Sequence, residues 1–175
     1  ADPRSPVAVQ LAGAPLPATR GSIAVDAATR GGTAAEAEAA AAQVAPMLRQ
    51  ADTAFRKIDS LLRGHAAAEI AATARAGGFS TVIVAPAFPA QGRIMLQARQ
   101  YARHGDGAWR LVERDLMAEL SAQGVVPRSA IAADLAGGGV FVCDAEFESD
   151  LAAIAARRRH LKPPVLWCGT SGLAR

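Results

Sequence analysis

Within eight residues of this 175-residue chain stand two cations, a carboxylate and a hydroxyl, in the run Lys57-Ile58-Asp59-Ser60-Leu61-Leu62-Arg63-Gly64. Such a set suits a small ligand that carries both a carboxylate and hydroxyl groups. The Arg63 guanidinium would grip the carboxylate, in bidentate fashion where the geometry allows, with Lys57 as a second point charge. Asp59 would accept hydrogen bonds from ligand hydroxyls, or take a proton from one of them as a general base. The competing reading is a structural Lys57–Asp59–Arg63 ion-pair cluster, worth little to stability if exposed. Spacing alone does not choose between the two.

Chemistry of this kind needs a frame, and the sequence describes one. Short β-rich runs are expected at Val7–Leu11, Ser22–Asp26, Ala54–Ile58, Thr81–Ala85, Val140–Asp144 and Val165–Cys168. Several are nearly continuous apolar runs, the mark of strands covered on both faces. Helical patterns fall between them, near residues 33–50, 65–76, 113–123 and 149–160. Thr33 and Glu36 have capping-box spacing, Pro46 should kink or shorten the first helix, and Gly77-Gly78 and Gly124 read as helix stops. Strand and helix in alternation predict right-handed crossovers and a mostly parallel sheet between helical layers, a three-layer, Rossmann-like α/β sandwich in one domain. Residues 93–112 interrupt the pattern: 100–103 and 108–111 flank His104-Gly105-Asp106-Gly107, which predicts an inserted β-hairpin or ordered loop.

In open α/β sheets, ligands bind beyond the carboxyl ends of the strands, and the Lys57–Gly64 run lies there. On a strand, Lys57 and Asp59 would point to one side. Ser60 and Arg63 fall in the turn, and Gly64 lets the chain bend into the helix starting near His65. Arg30, at the end of the second expected strand, would join them if the two strands are neighbours, and Arg93 is a further candidate for the anion. Gly169, Ser171 and Gly172 form a turn after the last strand whose amides could face a phosphate, although the run is not a Walker sequence. His65 reads as a helix-end contact rather than a base, His104 as a solvated loop residue, and Arg157-Arg158-Arg159-His160 as a solvated last helical turn. Gly137-Gly138-Gly139 precedes a strand instead of following one, so it reads as a turn, and no glycine fingerprint supports a dinucleotide oxidoreductase.

Composition narrows the classes. A hydrophobic fraction of 51% and a charged fraction of 20% describe a globular chain. The formal net charge is +3, but the arginines are scattered and aromatics are only 5%, which argues against a nucleic-acid groove and for a small anion. Cys143 and Cys168 each sit in an apolar run and read as small buried hydrophobes of a reducing compartment. No run approaches the ~20 apolar residues of a membrane span, and no secretory pattern opens the chain. No membrane partner and a cytoplasmic location are the expectations.

Five segments, in order, resemble the four-carbon acid sugar kinase family, also known as DUF1537. Lys57-Ile58-Asp59-Ser60-Leu61-Leu62-Arg63-Gly64 resembles its K-x-D-S-T-L-R-G signature, with Glu69 downstream. Asp26-Ala27-Ala28-Thr29-Arg30 resembles a strand end finishing in Ser/Thr-Arg, and Ala85-Pro86-Ala87-Phe88-Pro89-Ala90-Gln91-Gly92-Arg93 resembles A-P-A-F-P-x-x-G-R. Asp144-Ala145-Glu146 with Asp150-Leu151 resembles D-A-x-x-x-x-D-L, and Val165 to Ala174 resembles a strand followed by G-S-A-G-L-A.

The resemblance implies an ATP-dependent kinase that phosphorylates a hydroxyl of an erythronate-, threonate- or oxo-tetronate-type acid. An N-terminal domain would hold the sugar acid, and a C-terminal nucleotide-binding domain, in the same gene or a partner chain, would supply most of the ATP and Mg²⁺ site. Around the acid it implies Arg30, Lys57, Asp59, Ser60, Arg63, Gly64 and Arg93, with Asp59 the candidate catalytic group; Gly169, Ser171 and Gly172 would face the nucleotide. The sequence departs from the family pattern in three ways. The A-D-D-x-T-G-A segment at the end of the family's first strand has no counterpart, the nucleotide domain is absent, and Leu61 and His65 replace the usual threonine and asparagine. The expectation is therefore a single acid-sugar-binding domain over residues 1–175, inactive alone, with no metal of its own and with a homodimer open. A stand-alone acid-binding or regulatory module is the alternative.

Overall fold

The computed structural model describes residues 7–11 and 21–175. In chain order they form β1 (Val7–Leu11), β2 (Ser22–Asp26), α1 (Ala34–Gln50), β3 (Ala54–Lys57), α2 (Ala66–Gly77), β4 (Thr81–Ala85), β5 (Arg93–Leu96), β6 (Arg99–Arg103) and β7 (Trp109–Leu111), followed by α3 (Leu116–Ala122), β8 (Pro127–Ala130), β9 (Gly139–Cys143), α4 (Glu148–Ala156) and β10 (Val165–Gly169).

Five of these strands make one parallel sheet in the order β3-β10-β4-β9-β8. All five residues of β4 are buried, as its unbroken apolar run demands of a central strand. Its one polar side chain, Thr81, donates to the carbonyls of Lys162 at 2.6 Å and Gly137 at 3.1 Å, so no hydroxyl is stranded in the core. Going from β3 through α2 to β4 the chain moves one way across the sheet, and from β9 through α4 to β10 it moves back. Right-handed crossovers in opposite senses put their helices on opposite faces, which yields the three layers.

The helices form where local signals place them. At the start of α1 the Thr33 amide donates to Glu36 Oε2 at 2.7 Å while Thr33 Oγ1 accepts from the Glu36 amide at 3.3 Å, completing the capping box. Such a cap stabilises a helix by about 1 kcal/mol. Ala37, Ala41 and Ala45 recur every fourth residue, are fully buried, and let the alanine-rich α2 pack closely against α1. The fit is tight: a Cβ at Gly77 would stand 2.4 Å from the Phe79 ring. Gly78, with φ of +60°, ends α2 in the left-handed region that glycine tolerates.

Several expectations need correction. The first two strands pair with each other in parallel and stay outside the five-stranded sheet. Pro46 does not shorten α1, which runs on to Gln50. The predicted hairpin forms as β6 and β7, but Arg93–Leu96 joins it, so the insertion is a three-stranded antiparallel sheet. β8 was not expected, because Pro127, Arg128 and Ser129 lack an apolar run; as an edge strand it tolerates them. The third helix waits for its N-cap, Asp115, whose side chain accepts from the Ala118 amide. The last helix ends at Ala156, and Arg157–His160 form a 3-10 turn. That turn is not simply solvated, since Arg157 donates to the Leu135 carbonyl and Arg158 to the Asp52 carbonyl and Thr53 Oγ1.

Candidate functional site

β3 ends at Lys57, one residue earlier than expected, so Asp59 belongs to the turn and not to a strand face. The turn is built on its carboxylate. Asp59 Oδ1 accepts from the Leu61 amide at 2.8 Å and the Asp59 carbonyl accepts from the Leu62 amide at 3.0 Å, an Asx-type arrangement. Leu62 then takes a φ of +57° and Gly64 one of +84°. A left-handed leucine is strained by roughly 1–3 kcal/mol, and its side chain, 1% exposed in the core, holds it there. The chain enters α2 through His65, whose Nε2 lies 2.8 Å from the Gly32 carbonyl.

Two guanidinium groups converge on Asp59. Arg63 reaches it with Nε on Oδ1 at 3.1 Å and Nη2 on Oδ2 at 2.8 Å, and Arg30 Nη2 reaches Oδ2 at 2.9 Å. Arg30 arrives from a 3-10 turn, Thr29–Gly31, that follows β2. β2 and β3 are not paired, yet their carboxyl ends meet. The carboxylate is inside, with 9% of its side chain exposed, whereas the arginine side chains are 69% and 63% exposed. Lys57 is exposed beside them, its Nζ 3.3 Å from the Ile58 carbonyl.

Burial by itself would raise the Asp59 pKa. The Arg63 side-chain hydrogen bond, the Leu61 amide and the Arg63 charge outweigh it and hold the carboxyl down to about 2. Its partner effect raises Arg63 further above its ordinary value. A carboxyl that acidic has little drive to accept a proton from a hydroxyl near neutral pH, and in this arrangement it anchors the two arginines.

Behind this cluster lies a second one, in which Arg56, not singled out in the sequence, joins Glu69 and Thr29. Arg56 Nη2 pairs with Glu69 Oε2 at 3.1 Å, both side chains nearly buried. Arg56 also donates to Thr73 Oγ1 at 3.1 Å, and Thr29 Oγ1 donates to Glu69 Oε1. Glu69 thereby ties α2 to the turn that carries Arg30. The signal that could have found it is a charged Arg56 in a strand otherwise expected to be buried, which calls for a partner.

Both clusters open on one cleft of about 760 Å³, whose charged wall comprises Asp26, Arg30, Arg56, Lys57, Asp59, Arg63 and Glu69. Of the predicted residues, Arg30, Lys57, Asp59, Arg63 and Gly64 line it. Ser60 does not; its carbonyl accepts from Gln100 Nε2 at 2.8 Å, so the fully buried Gln100 of β6 braces the turn from the inserted sheet. Arg93 is also outside the cleft wall and donates to the Gln91 carbonyl.

Gly169 ends β10, and Ser171 and Gly172 follow it. Gly169 lends its carbonyl to the Ile58 amide at 2.8 Å. A Cβ there would lie 2.7 Å from Leu173, and one at Gly172 would lie 3.0 Å from the Ala87 carbonyl. The Gly172 amide donates to Thr170 Oγ1 at 3.0 Å, and that hydroxyl donates to Ala87. These glycines have a packing reason, and the Gly172 amide is engaged by Thr170 in this arrangement. Among the described residues no three His, Cys, Asp or Glu side chains gather to hold a metal. Both cysteines are buried, with thiol pKa values pushed up to about 12, first by burial, which favours the neutral thiol over the reactive thiolate. None of the helices among the described residues is long and apolar enough to cross a membrane.

Residues 7–126 match the family model described as the sugar-binding N-terminal domain. Over 145 residues the chain is 40% identical to the D-threonate kinase of Cupriavidus necator, a match covering 69% of this chain and 34% of that enzyme. A crystal structure of a DUF1537 protein from Bordetella bronchiseptica, a domain-swapped dimer with bound citrate, is 28% identical with a TM-score of 0.72. It covers 95% of this chain and 49% of that one. A DUF1537 protein of Haemophilus influenzae shares the fold at 16% identity and a TM-score of 0.74, covering 97% of this chain and 48% of that one. The chain thus spans about a third of the curated relative's length and about half that of the solved ones.

Proposed function

The chain belongs to the family of sugar-binding N-terminal domains, and from that premise we propose that it holds a four-carbon sugar acid, of threonate or erythronate type, for an ATP-dependent kinase. The observation that carries this reading is the pair of exposed arginines held on one recessed carboxylate at the carboxyl ends of β2 and β3. Asp59 fixes the two guanidinium groups and leaves donors on each for a ligand carboxylate. Lys57 adds a third positive charge at the mouth of the cleft. Asp59 itself would accept from ligand hydroxyls as the arginines shift toward the acid. The relative that phosphorylates D-threonate and the neighbour with bound citrate both handle carboxylated, hydroxylated small molecules, which supports this ligand class.

Phosphoryl transfer mainly needs positioning and charge neutralisation, and these residues supply the positioning of the acceptor. ATP and its Mg²⁺ would be held chiefly by a nucleotide-binding domain outside residues 1–175, and a cytoplasmic setting suits that chemistry. When bound, ATP supplies the phosphoryl group and Mg²⁺ the neutralising charge. The residues described here would orient the acid.

Titration calorimetry of residues 1–175 with D-threonate and D-erythronate tests the reading. Saturable heat from one of them, abolished by a competing C4 acid, is expected. No binding by any C4 acid at millimolar concentration would remove the ligand assignment. A separate assay of the same polypeptide with ATP and Mg²⁺ should yield no phosphorylated acid; turnover would overturn the division of labour.

A further inference from the structure

The hydrogen bonds of Asp59 continue inward through a single peptide group. The Leu61 amide that donates to Asp59 Oδ1 at 2.8 Å belongs to the same peptide group as the Ser60 carbonyl, which accepts from Gln100 Nε2 at 2.8 Å. That unit is planar and rigid, with its carbonyl and its N–H on opposite sides. A direction imposed on one end is therefore imposed on the other. One line of contacts thus runs from the fully buried Gln100, through the Ser60–Leu61 peptide and the Asp59 carboxylate, to the exposed guanidinium groups of Arg63 and Arg30. Hydrogen bonds in such a chain polarise and strengthen one another.

Gln100 is an unusual residue for its place. It stands opposite Met95 in the β5–β6 pair, and both side chains are fully buried, as is Ala102 two residues on. An apolar side chain there would leave no polar atom to satisfy. Gln100 instead holds its Oε1 buried without a hydrogen-bond partner among the described residues, which is costly to folding. Its amide nitrogen, by contrast, is well used, because Nε2 also donates to the Pro86 carbonyl at 3.3 Å. Ser60 lies beyond β3 and Pro86 beyond β4, two strands that β10 separates. One side chain therefore ties two strand ends together on the rim where ligands bind in such sheets.

The inserted segment meets the turn again at its far end. Arg114, paired with Glu119 at 2.7 Å, places Nη1 3.4 Å from the Gly64 carbonyl. The Gln100 carbonyl accepts from the Val112 amide at 2.8 Å, so the stretch leading to Arg114 is fastened to the same residue.

We infer that Gln100 is a positioning residue of the acid site: from the core it fixes the Ser60–Leu61 peptide, and through it the Asp59 carboxylate and the angle at which Arg63 and Arg30 meet a ligand. It acts without lining the cleft. The ligand half of this inference rests on the sugar-acid reading. The peptide half does not, because it is measured without any ligand.

Gln100→Met keeps the length of the side chain and removes its donors. Residue-resolved amide hydrogen exchange by NMR reads the consequence, with the Ile83 amide of the central strand reporting the opening of the whole core. In Gln100→Met the Leu61 amide should speed up roughly tenfold more than Ile83 does. In Ile154→Ala, which opens a cavity under α4 on the other face of the sheet, Leu61 should speed up no more than Ile83. A Leu61 amide that merely follows Ile83 in Gln100→Met would overturn the inference, as would the same selective loosening in Ile154→Ala. In calorimetry the affinity for D-threonate or D-erythronate should fall about tenfold in Gln100→Met and stay the same in Ile154→Ala. Selective loosening of Leu61 with undiminished affinity would refute the role in recognition. Should the unmodified protein bind neither acid, the sugar-acid reading fails, and the Leu61 amide still decides whether Gln100 holds the turn. If Gln100→Met does not fold, the scalar coupling across the hydrogen bond from Gln100 Nε2 to the Ser60 carbonyl carbon decides in the unmodified protein, and its absence sinks the inference.

Discussion

The two arginine–carboxylate clusters on the cleft wall use the same chemistry at different depths. Arg56 and Glu69 are 11% and 12% exposed and bond to each other, to Thr73 of α2 and to Thr29, while the buried Arg56 Nε has no hydrogen-bond partner among the described residues. Arg30 and Arg63 are mostly exposed and meet only at Asp59. A buried pair that loses one member leaves an uncompensated charge, while an exposed pair is worth little to folding and stays free to exchange partners. Depth therefore separates a structural pair from a ligand-handling pair, although both are Arg with Asp or Glu.

The largest effect expected from this contrast is on stability. Arg56→Ala should lower the free energy of unfolding by about 3–5 kcal/mol by stranding Glu69, read from urea denaturation. A loss below about 1 kcal/mol would put both clusters in one class. Arg63→Ala should do the reverse. Its unfolding free energy should change by no more than about 1 kcal/mol, while sugar-acid affinity weakens by about 1.5–3 kcal/mol in calorimetry. Equal damage to folding by the two substitutions would erase the distinction.

The smallest effect concerns pH. The Asp59 carboxyl is at about 2 in the folded protein against 3.8 unfolded, so the unfolded state binds its proton first as pH falls. The resulting stability is full above pH ~4 and is lost down to pH ~2. Solvent screening of this surface cluster limits it to about 1 kcal/mol. Asp59→Asn should remove that part of the acid titration, and a titration that stays the same would mean the arginines do not depress this carboxyl.

Much of the frame could be read from local pattern. The Thr33–Glu36 cap, the buried run of β4 and the β6–β7 hairpin each rest on residues a few positions apart, where spacing carries the signal. The Lys57–Gly64 run likewise marked the site, and Arg30 joined it by a contact that spacing left conditional on strand adjacency. The misses are non-local. Glu69 meets Thr29 across 40 residues, and Gln100 holds the Ser60 carbonyl from an inserted sheet. Neither pairing leaves a periodic trace. Ser60 and Arg93 were chosen by residue type, and neither is among the residues that line the cleft. Gly169 and Gly172 stand close to Leu173 and Leu151, and a glycine-rich turn looks alike in sequence whether it cradles a ligand or avoids such contacts.

The sequence by itself determined most of the strands and helices, the cap that starts α1 and the glycine that ends α2, and that cations and a carboxylate collect at one strand end. Those outcomes follow from side-chain periodicity and capping, which act within a few residues. Tertiary structure alone decided that β2 and β3 meet at their carboxyl ends without pairing with each other, that Arg30 reaches across to share Asp59, and that Arg56 is nearly buried while Arg63 is not. Neighbour relations and depth emerge only when whole layers pack to bury their apolar faces, because burial is a property of the assembled layers and no single segment contains it.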